Sequence, residues 1–366
     1  MRASAGGDQA KRDPDRTAAG GRDRIDPHLH RPGRPRRLIR IGLSGCGAVS
    51  ARYYAPALLA LEAEGAARLV AVFDPDPAAM QTVCARLPDA RTCASYEDLL
   101  TADLDLVLVA SPPRRHAEQT FVALARGLAV HCEKPLAMSG DEAARMVAAA
   151  QAAGRPLTEG LVRRRFPSVR AIADLLRRGV IGDLETVEVF EGGPFDWPVS
   201  SPAYFSRAES GGGVLRDLGP HVFDLLIGWL GEPQLIECRD DARGGVEANA
   251  RVVLDFGGVR ARVRFSRDWA RPNRFVFQGS AGRMIWTPYE TDRLELELDG
   301  QIAALVLEKG GDFQDAFTAQ LRAAISGAPE AGRGQEPGLA ALAMIDLCYA
   351  RRLPMAEPWI DVGAAP

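Results

Sequence analysis

Beyond Leu38 the apolar positions fall into two successive rhythms. In the first, short continuous apolar runs are separated by stretches with helical periodicity. Leu38-Ile39-Arg40-Ile41-Gly42-Leu43, Arg68-Leu69-Val70-Ala71-Val72-Phe73, Asp105-Leu106-Val107-Leu108-Val109-Ala110 and Leu128-Ala129-Val130 read as buried strands, with helices of about ten to fifteen residues between them. That alternation implies right-handed βαβ units and a parallel sheet. A helix from about Gly140 to Ala153, a short strand near Leu157 to Gly160 and a helix from about Pro167 to Arg178 lead out of it. The second rhythm has period two and runs through Leu184 to Phe190, Gln234 to Arg239, Ala248 to Phe256, Val259 to Phe265, Phe275 to Gln278, Arg283 to Trp286 and Leu294 to Leu298. Tight turns such as Gly257-Gly258 make these an antiparallel sheet, with a helix from about Gly219 to Leu230 over one face. Helices follow at about Phe313 to Ser326 and Gly338 to Ala350.

The fold class predicted is therefore α/β plus α+β: an N-terminal Rossmann dinucleotide-binding domain over 38–160 and a C-terminal domain over 161–366 for substrate binding and oligomerisation. The latter is built on a large, mainly antiparallel, open-faced sheet, and its helices near 313–350 can pack back on the first domain. Residues 1–37 are rich in Arg, Asp, Gly and Pro and lack apolar periodicity, so they read as a disordered tail or as the product of an upstream start codon.

Composition narrows the partners. With 46% hydrophobic and 25% charged residues the chain is globular, and 45 basic against 48 acidic side chains leave a formal charge of −3. That balance offers no electrostatic case for nucleic acid or an anionic membrane, so the expected partner is a small molecule. No apolar run approaches the roughly 20 residues of a membrane span. The six cysteines contain no CxxC pair and read as reduced thiols in a reducing, cytoplasmic compartment. Five dispersed histidines give no metal cluster, and no metal is expected.

Three stretches carry chemistry. Gly45-Cys46-Gly47-Ala48-Val49-Ser50 follows the first strand and opens a helix, so Gly45 and Gly47 take the first two positions of a GxGxxG fingerprint and Ser50 the third. Asp74 ends the second strand a little over twenty residues on, where a carboxylate accepts hydrogen bonds from an adenosine ribose; the alternative is a cap for the helix near Pro77. Two carboxylates, Asp74 and Asp76, flank Pro75 there and favour NAD, with NADP admitted if Arg52 or Arg91 folds over the adenosine. His131-Cys132-Glu133-Lys134-Pro135 ends a strand abruptly, which puts Lys134 at the carboxyl edge of the sheet where such folds bind ligands; the bland reading is a solvated Glu-Lys pair. Finally, Gly211-Gly212-Gly213 can wrap closely around a ligand, and Asp217 and His221 stand four residues apart at a helix start. There the carboxylate can fix the imidazole tautomer and stabilise its cation. The alternative makes Asp217 a cap and His221 a satisfied, half-buried residue.

Together, Gly45-Cys46-Gly47, the segment from Ser111-Pro112 to His116, Cys132-Glu133-Lys134-Pro135-Leu136, and Gly211-Gly212-Gly213 through Asp217-Leu218-Gly219-Pro220-His221 resemble the Gfo/Idh/MocA family of NAD(P)-dependent oxidoreductases. The resemblance runs in order over about residues 38 to 352. It implies cofactor contacts from Gly45, Cys46, Gly47, Ala48, Val49, Asp74, Ser111, Pro112, His116, Glu133 and Lys134. It also implies catalytic roles for Lys134, which meets substrate and cofactor, for His221, which exchanges the hydroxyl proton, and for Asp217, which assists it. Homodimers or homotetramers built on the open sheet are implied too. Two departures stand out: Pro113 replaces a common Asn, and Arg216, in place of an apolar residue, reaches substrate or points into solvent. Arg165, Trp197 and Tyr204 join His221 as substrate-binding candidates, because aromatic rings with polar edges suit a sugar. The expected activity is reversible oxidation of a secondary alcohol on a sugar, cyclitol or related polyol. The alternatives are a non-catalytic dinucleotide-sensing regulator of the same fold, or a reductase of a dihydrodiol or tetrapyrrole.

Overall fold

Short, largely apolar strands interleaved with helices build the first half of the chain. In the computed structural model, which describes residues 37–199, 202–307, 311–326 and 338–355, six parallel strands form one sheet. These are β1 (Ile39–Ser44), β2 (Ala67–Phe73), β3 (Arg91–Thr92), β4 (Leu106–Val109), β5 (Ala129–Cys132) and β6 (Leu157–Glu159). Their order, β3-β2-β1-β4-β5-β6, is that of a doubly wound dinucleotide fold, and it reverses between β1 and β4. The helices are α1 (Ala55–Ala63), α2 (Pro77–Cys84), α3 (Tyr96–Leu99), α4 (Pro113–Ala125) and α5 (Gly140–Ala153). The sequence pattern names each of the longer elements; β3 and α3, of two and four residues, are too short to show a period. The tail read over 1–37 lies, apart from Arg37, outside the described residues.

The second half follows α6 (Pro167–Arg177) with β7 (Leu184–Gly192), the one-turn α7 (Arg207–Ser210), α8 (Val214–Leu230), β8 (Gln234–Asp240), β9 (Asn249–Phe256), β10 (Val259–Ser266), β11 (Arg274–Gly279), β12 (Gly282–Trp286), β13 (Arg293–Leu298), β14 (Gln301–Val306), α9 (Phe313–Ser326), α10 (Leu339–Arg351) and β15 (Leu353–Pro354). Nine strands pair in the order β14-β13-β12-β11-β7-β10-β9-β8-β15. The sheet is antiparallel except where β10 meets β7 and β15 meets β8. The parallel β7–β10 pair arises because α8 and the β8–β9 hairpin intervene, bringing the chain back beside β7 in the same direction. α8 covers one face, its Phe223 edge-to-face with Phe265 at 5.9 Å and its Trp229 against Phe275, Phe277 and Trp286.

α8 starts at Val214, a turn before the expected Gly219, and carries Pro220 inside it. Its first turn has no side-chain cap of its own; instead the buried Glu247 carboxylate accepts from the backbone N–H groups of Gly213 (2.9 Å) and Leu215 (3.0 Å). The C-terminal helices lie against the dinucleotide-binding elements: Gln314 donates to the Tyr53 carbonyl, and Asp346 of α10 accepts from the N–H of Gly140 at the start of α5 (2.6 Å).

Candidate active site

The turn after β1 depends on glycine for a steric reason. Gly45 has φ +94°, and a Cβ there would fall 2.4 Å from the Ala110 backbone. Gly47, by contrast, faces open space, which leaves room for a ligand against the backbone at the sheet's switch point. Ser50 donates to the Gly45 carbonyl at 2.6 Å and fastens the following helix onto the turn. A π-helical stretch, Ser50–Tyr54, leads into α1 and sends Tyr53 to the cleft while Tyr54 is buried. Asp74 lines the same cleft of about 1590 Å³, its carboxylate held by the N–H groups of Cys46 (2.7 Å) and Asp76 (2.9 Å). Asp76, not Asp74, caps α2, accepting from Ala78 N–H at 2.9 Å.

Ala48, Val49, Ser111 and Pro112 also line the cleft, whereas two other expected cofactor contacts do not. Cys46 spends its N–H on Asp74 and its thiol is buried. His116 is buried with its ring nitrogens 2.9 Å from the Pro135 carbonyl and 2.7 Å from that of Ser111, so it ties the Ser111 loop to the turn after β5. Arg91 is paired with Asp98 rather than folded over the nucleotide end.

Lys134 stands past the end of β5, as Pro135 requires. Its ammonium donates to the Asp217 carboxylate (2.7 Å) and carbonyl (3.1 Å). The other Asp217 oxygen accepts from Tyr204 (2.5 Å) and is ion-paired with Arg267, which also donates to the Tyr204 hydroxyl at 2.8 Å. Asp217 therefore serves two cations and a phenol, and the expected Asp217–His221 hydrogen bond is absent among the described contacts. Charge-assisted bonds to Lys134 and Arg267 outcompete a neutral ring one turn along the helix. His221 lines the cleft with Nδ1 buried and unpartnered. Burial, reinforced by Arg163 and Lys134, pushes its pKa well below the usual histidine value, so the ring is neutral and not the stabilised cation the sequence suggested.

Burial also lowers the Lys134 pKa to about 8, with Glu133 pulling it up and Arg267 and Arg163 pushing it further down. Glu133 is buried beneath it and accepts from the Tyr54 hydroxyl (2.5 Å) and the Lys134 N–H (2.9 Å). It is the buried neighbour of Lys134 rather than half of a solvated pair.

Arg163-Arg164-Arg165 occupies a 3-10 turn, where three residues per turn send consecutive side chains in three directions. Arg163 faces the cleft, paired with the buried Glu191 at 2.7 Å; Arg164 binds Asp224; and Arg165, the expected substrate contact, is buried and does not line the cleft. Arg216 does not point into solvent: it is buried, paired with Asp346 at 2.9 Å, and lines the cleft. The triple glycine wraps protein, since a Cβ on Gly212 would meet the Tyr349 hydroxyl at 1.9 Å and one on Gly213 the Glu247 carbonyl at 2.0 Å. Trp197 and Tyr204 do line the cleft, Trp197 lying parallel to Tyr53 at 6.3 Å. Tyr53, Arg163, Arg267, Asn273 and Tyr289 also line it and were not singled out from sequence. Only the Arg run carried a signal, and it could not say which arginine points inward.

Among the described residues no cluster of His, Cys, Asp or Glu could hold a metal, and no helix is long and apolar enough to cross a membrane. Residues 39–161 match the oxidoreductase family with an NAD-binding Rossmann fold, and residues 169–285 match the GFO/IDH/MocA C-terminal domain. A dTDP-3,4-didehydro-2,6-dideoxy-alpha-D-glucose 3-reductase of Actinomadura kijaniata is 29% identical over 79% of this chain and 88% of its own. An inositol 2-dehydrogenase of Rhizobium meliloti (strain 1021) is 29% identical over 59% of this chain and 60% of its own. In structure, the chain is similar to KijD10, a 3-ketoreductase from Actinomadura kijaniata in complex with NADP and TDP-benzene. The TM-score is 0.76 at 25% identity, covering 87% of this chain and 99% of that one.

Proposed function

The chain belongs to the GFO/IDH/MocA oxidoreductase family, and on that footing we propose that it transfers a hydride between NAD(P) and a secondary alcohol or ketone of a sugar, cyclitol or related polyol. The observation that carries the reading is one cleft lined together by the Gly45–Gly47 turn, the Lys134 ammonium and the His221 imidazole. The open space over Gly47, the Asp74 carboxylate and the Ser111-Pro112 loop fit a dinucleotide laid over the sheet's switch point. When bound, NAD(P) accepts or supplies the hydride. His221, neutral, takes the hydroxyl proton of an alcohol; Lys134 stabilises negative charge on that oxygen; Asp217 holds Lys134 in place with Tyr204 and Arg267. The intact set of Lys134, Asp217 and His221 in one cleft favours an enzyme over a non-catalytic dinucleotide sensor.

A spectrophotometric screen of sugars and cyclitols with both cofactors tests the activity, and Lys134→Met tests the site. The variant should lose at least about a hundredfold in turnover while still binding cofactor, as expected for removal of one charge-stabilising donor. Wild-type turnover in that variant would overturn the assignment.

The same reading assigns NAD as the preferred cofactor. Asp74 and Asp76 line the adenosine end with Glu97, and the two backbone N–H groups on Asp74 hold its carboxylate facing the cleft. A 2′-phosphate placed about 4 Å away meets repulsion of roughly 1 kcal/mol in water and about 4 kcal/mol near a protein surface. At about 1.4 kcal/mol per decade, kcat/KM with NADP should be lower by one to three powers of ten. The 3-ketoreductase of similar fold is bound to NADP, so the preference for NAD is assigned to these carboxylates and not to the fold. Equal or better kinetics with NADP would contradict it.

A further inference from the structure

The substrate end of the cleft has a charge imbalance that a neutral polyol does not use. Three of its ion pairs close on themselves: Arg163 on Glu191, Arg216 on Asp346, and Glu209 on Arg114. What remains is Lys134, Arg267, Arg52 and Arg271 against Asp217 and Asp196, with Glu133 buried below Lys134. Lys134 and Arg267 share the single Asp217 carboxylate. Arg52 and Arg271 have no carboxylate partner among the described residues; both are exposed, line the cleft and lie over aromatic rings.

Each of those two arginines rests on aromatic faces. The Arg271 guanidinium lies 5.8 Å from the ring centroids of both Phe190 and Trp269. The Arg52 guanidinium lies 5.5 Å from Tyr53 and 5.6 Å from Trp197. Stacking engages the face of a guanidinium and leaves its in-plane N–H donors free, which is the geometry that receives a carboxylate or phosphate. The rings also restrict the rotamers that an exposed arginine would otherwise lose on binding. Arg52 comes from the dinucleotide-binding half and Arg271 from the segment joining β10 to β11, so the two cations approach the cleft from different halves of the chain.

We propose that the substrate carries an anionic group, a carboxylate or a phosphate, besides the hydroxyl that is oxidised, and that Arg271, with Arg52, receives it. This rests on the oxidoreductase reading and narrows its substrate class to sugar or cyclitol acids and phosphates. Arg271 acts as a specificity-determining residue and takes no part in the hydride step.

The experiment compares matched hexoses, hexuronates and hexose 6-phosphates as substrates for the wild type and for Arg271→Gln, at low and high salt. The wild type should favour one anionic series over the neutral sugar by at least about tenfold in kcat/KM, with the preference shrinking as salt is added. The better series tells carboxylate from phosphate. Arg271→Gln should remove about tenfold of the preference, mainly through KM, while costing the neutral sugar less than about threefold. Neutral sugars that match both anions, or a variant that lowers all three alike, would overturn the anion site and leave the oxidoreductase reading intact. If none is turned over, binding to the NADH-loaded protein, read by NADH fluorescence, decides. Anion binding at least about tenfold tighter than hexose supports the site while counting against the oxidoreductase reading, and no difference overturns the site.

Discussion

At the scale of single residues, the charge on Lys134 is the quantity most open to measurement. Burial brings its pKa down to about 8 from an ordinary lysine value, so between pH 8 and 10.5 an unperturbed lysine keeps its proton and Lys134 does not. Ketone reduction needs the ammonium to stabilise charge on the substrate oxygen, so its rate should fall as pH rises through about 8. Lys134→Arg, weakly active but always charged, should lose that alkaline limb. His221→Asn should lower the rate and leave the limb where it is, because the His221 pKa is displaced downward, away from it. A pH profile of kcat/KM for the three proteins checks this, and an alkaline limb that survives in Lys134→Arg would assign it to another group. The residues behind the prediction were legible unequally. Lys134 was readable because Pro135 can only follow a strand's end, and Asp217 and His221 because their spacing places them on one helix face. Their pairing was not readable, since it depends on Arg267 arriving from just past the end of β10, fifty residues away in sequence (267 less 217).

At the scale of elements, α8 shows how a helix can be positioned by a residue outside it. Its N-cap residue is Gly213, so no local side chain caps it, and Glu247 enters from the segment before β9. One carboxylate oxygen collects the N–H groups of Gly213 and Leu215 and the Tyr349 hydroxyl (2.7 Å), and its charge sits at the positive end of the helix. Glu247→Ala strands three donors in a buried site, at about 1 to 3 kcal/mol for each one left unsatisfied. A loss of at least about 3 kcal/mol in urea unfolding is expected, with kcat falling too because Asp217 and His221 ride on the displaced helix. Glu247→Gln should keep part of both, and an Ala variant as stable as the wild type would show that water replaces the carboxylate. Sequence periodicity found the body of α8 and put its start at Gly219-Pro220, where a helix commonly begins. The true start was hidden because the cap lies more than thirty residues downstream.

At the scale of the whole molecule, the strand and helix rhythms carried the architecture, because hydrophobic periodicity depends only on which face is buried. What they could not carry was exposure on both faces: β14, whose Ile302 and Val306 are 64% and 59% exposed, shows no alternation, and it was missed. The same limit bears on assembly. The open face was expected to carry a homodimer or homotetramer contact, and its central rows are charged, with Arg262 of β10 paired to Glu188 of β7 at 2.6 Å and Arg283 of β12 opposite Glu297 of β13. A homodimer or homotetramer built on this face would therefore join through polar rows rich in arginine, with a few apolar residues such as Ile285 and Val276 between them. Such an interface is sensitive to ionic strength in a way that an apolar one is not. Light scattering at micromolar concentration should give a dimer or tetramer that dissociates as salt rises. Arg262→Glu, which sets two like charges opposite each other on a half-exposed row, should shift the population to monomer with little change in unfolding midpoint. A monomer at every concentration would remove the face as an interface, and an oligomer indifferent to both salt and Arg262→Glu would place the contact elsewhere on the molecule.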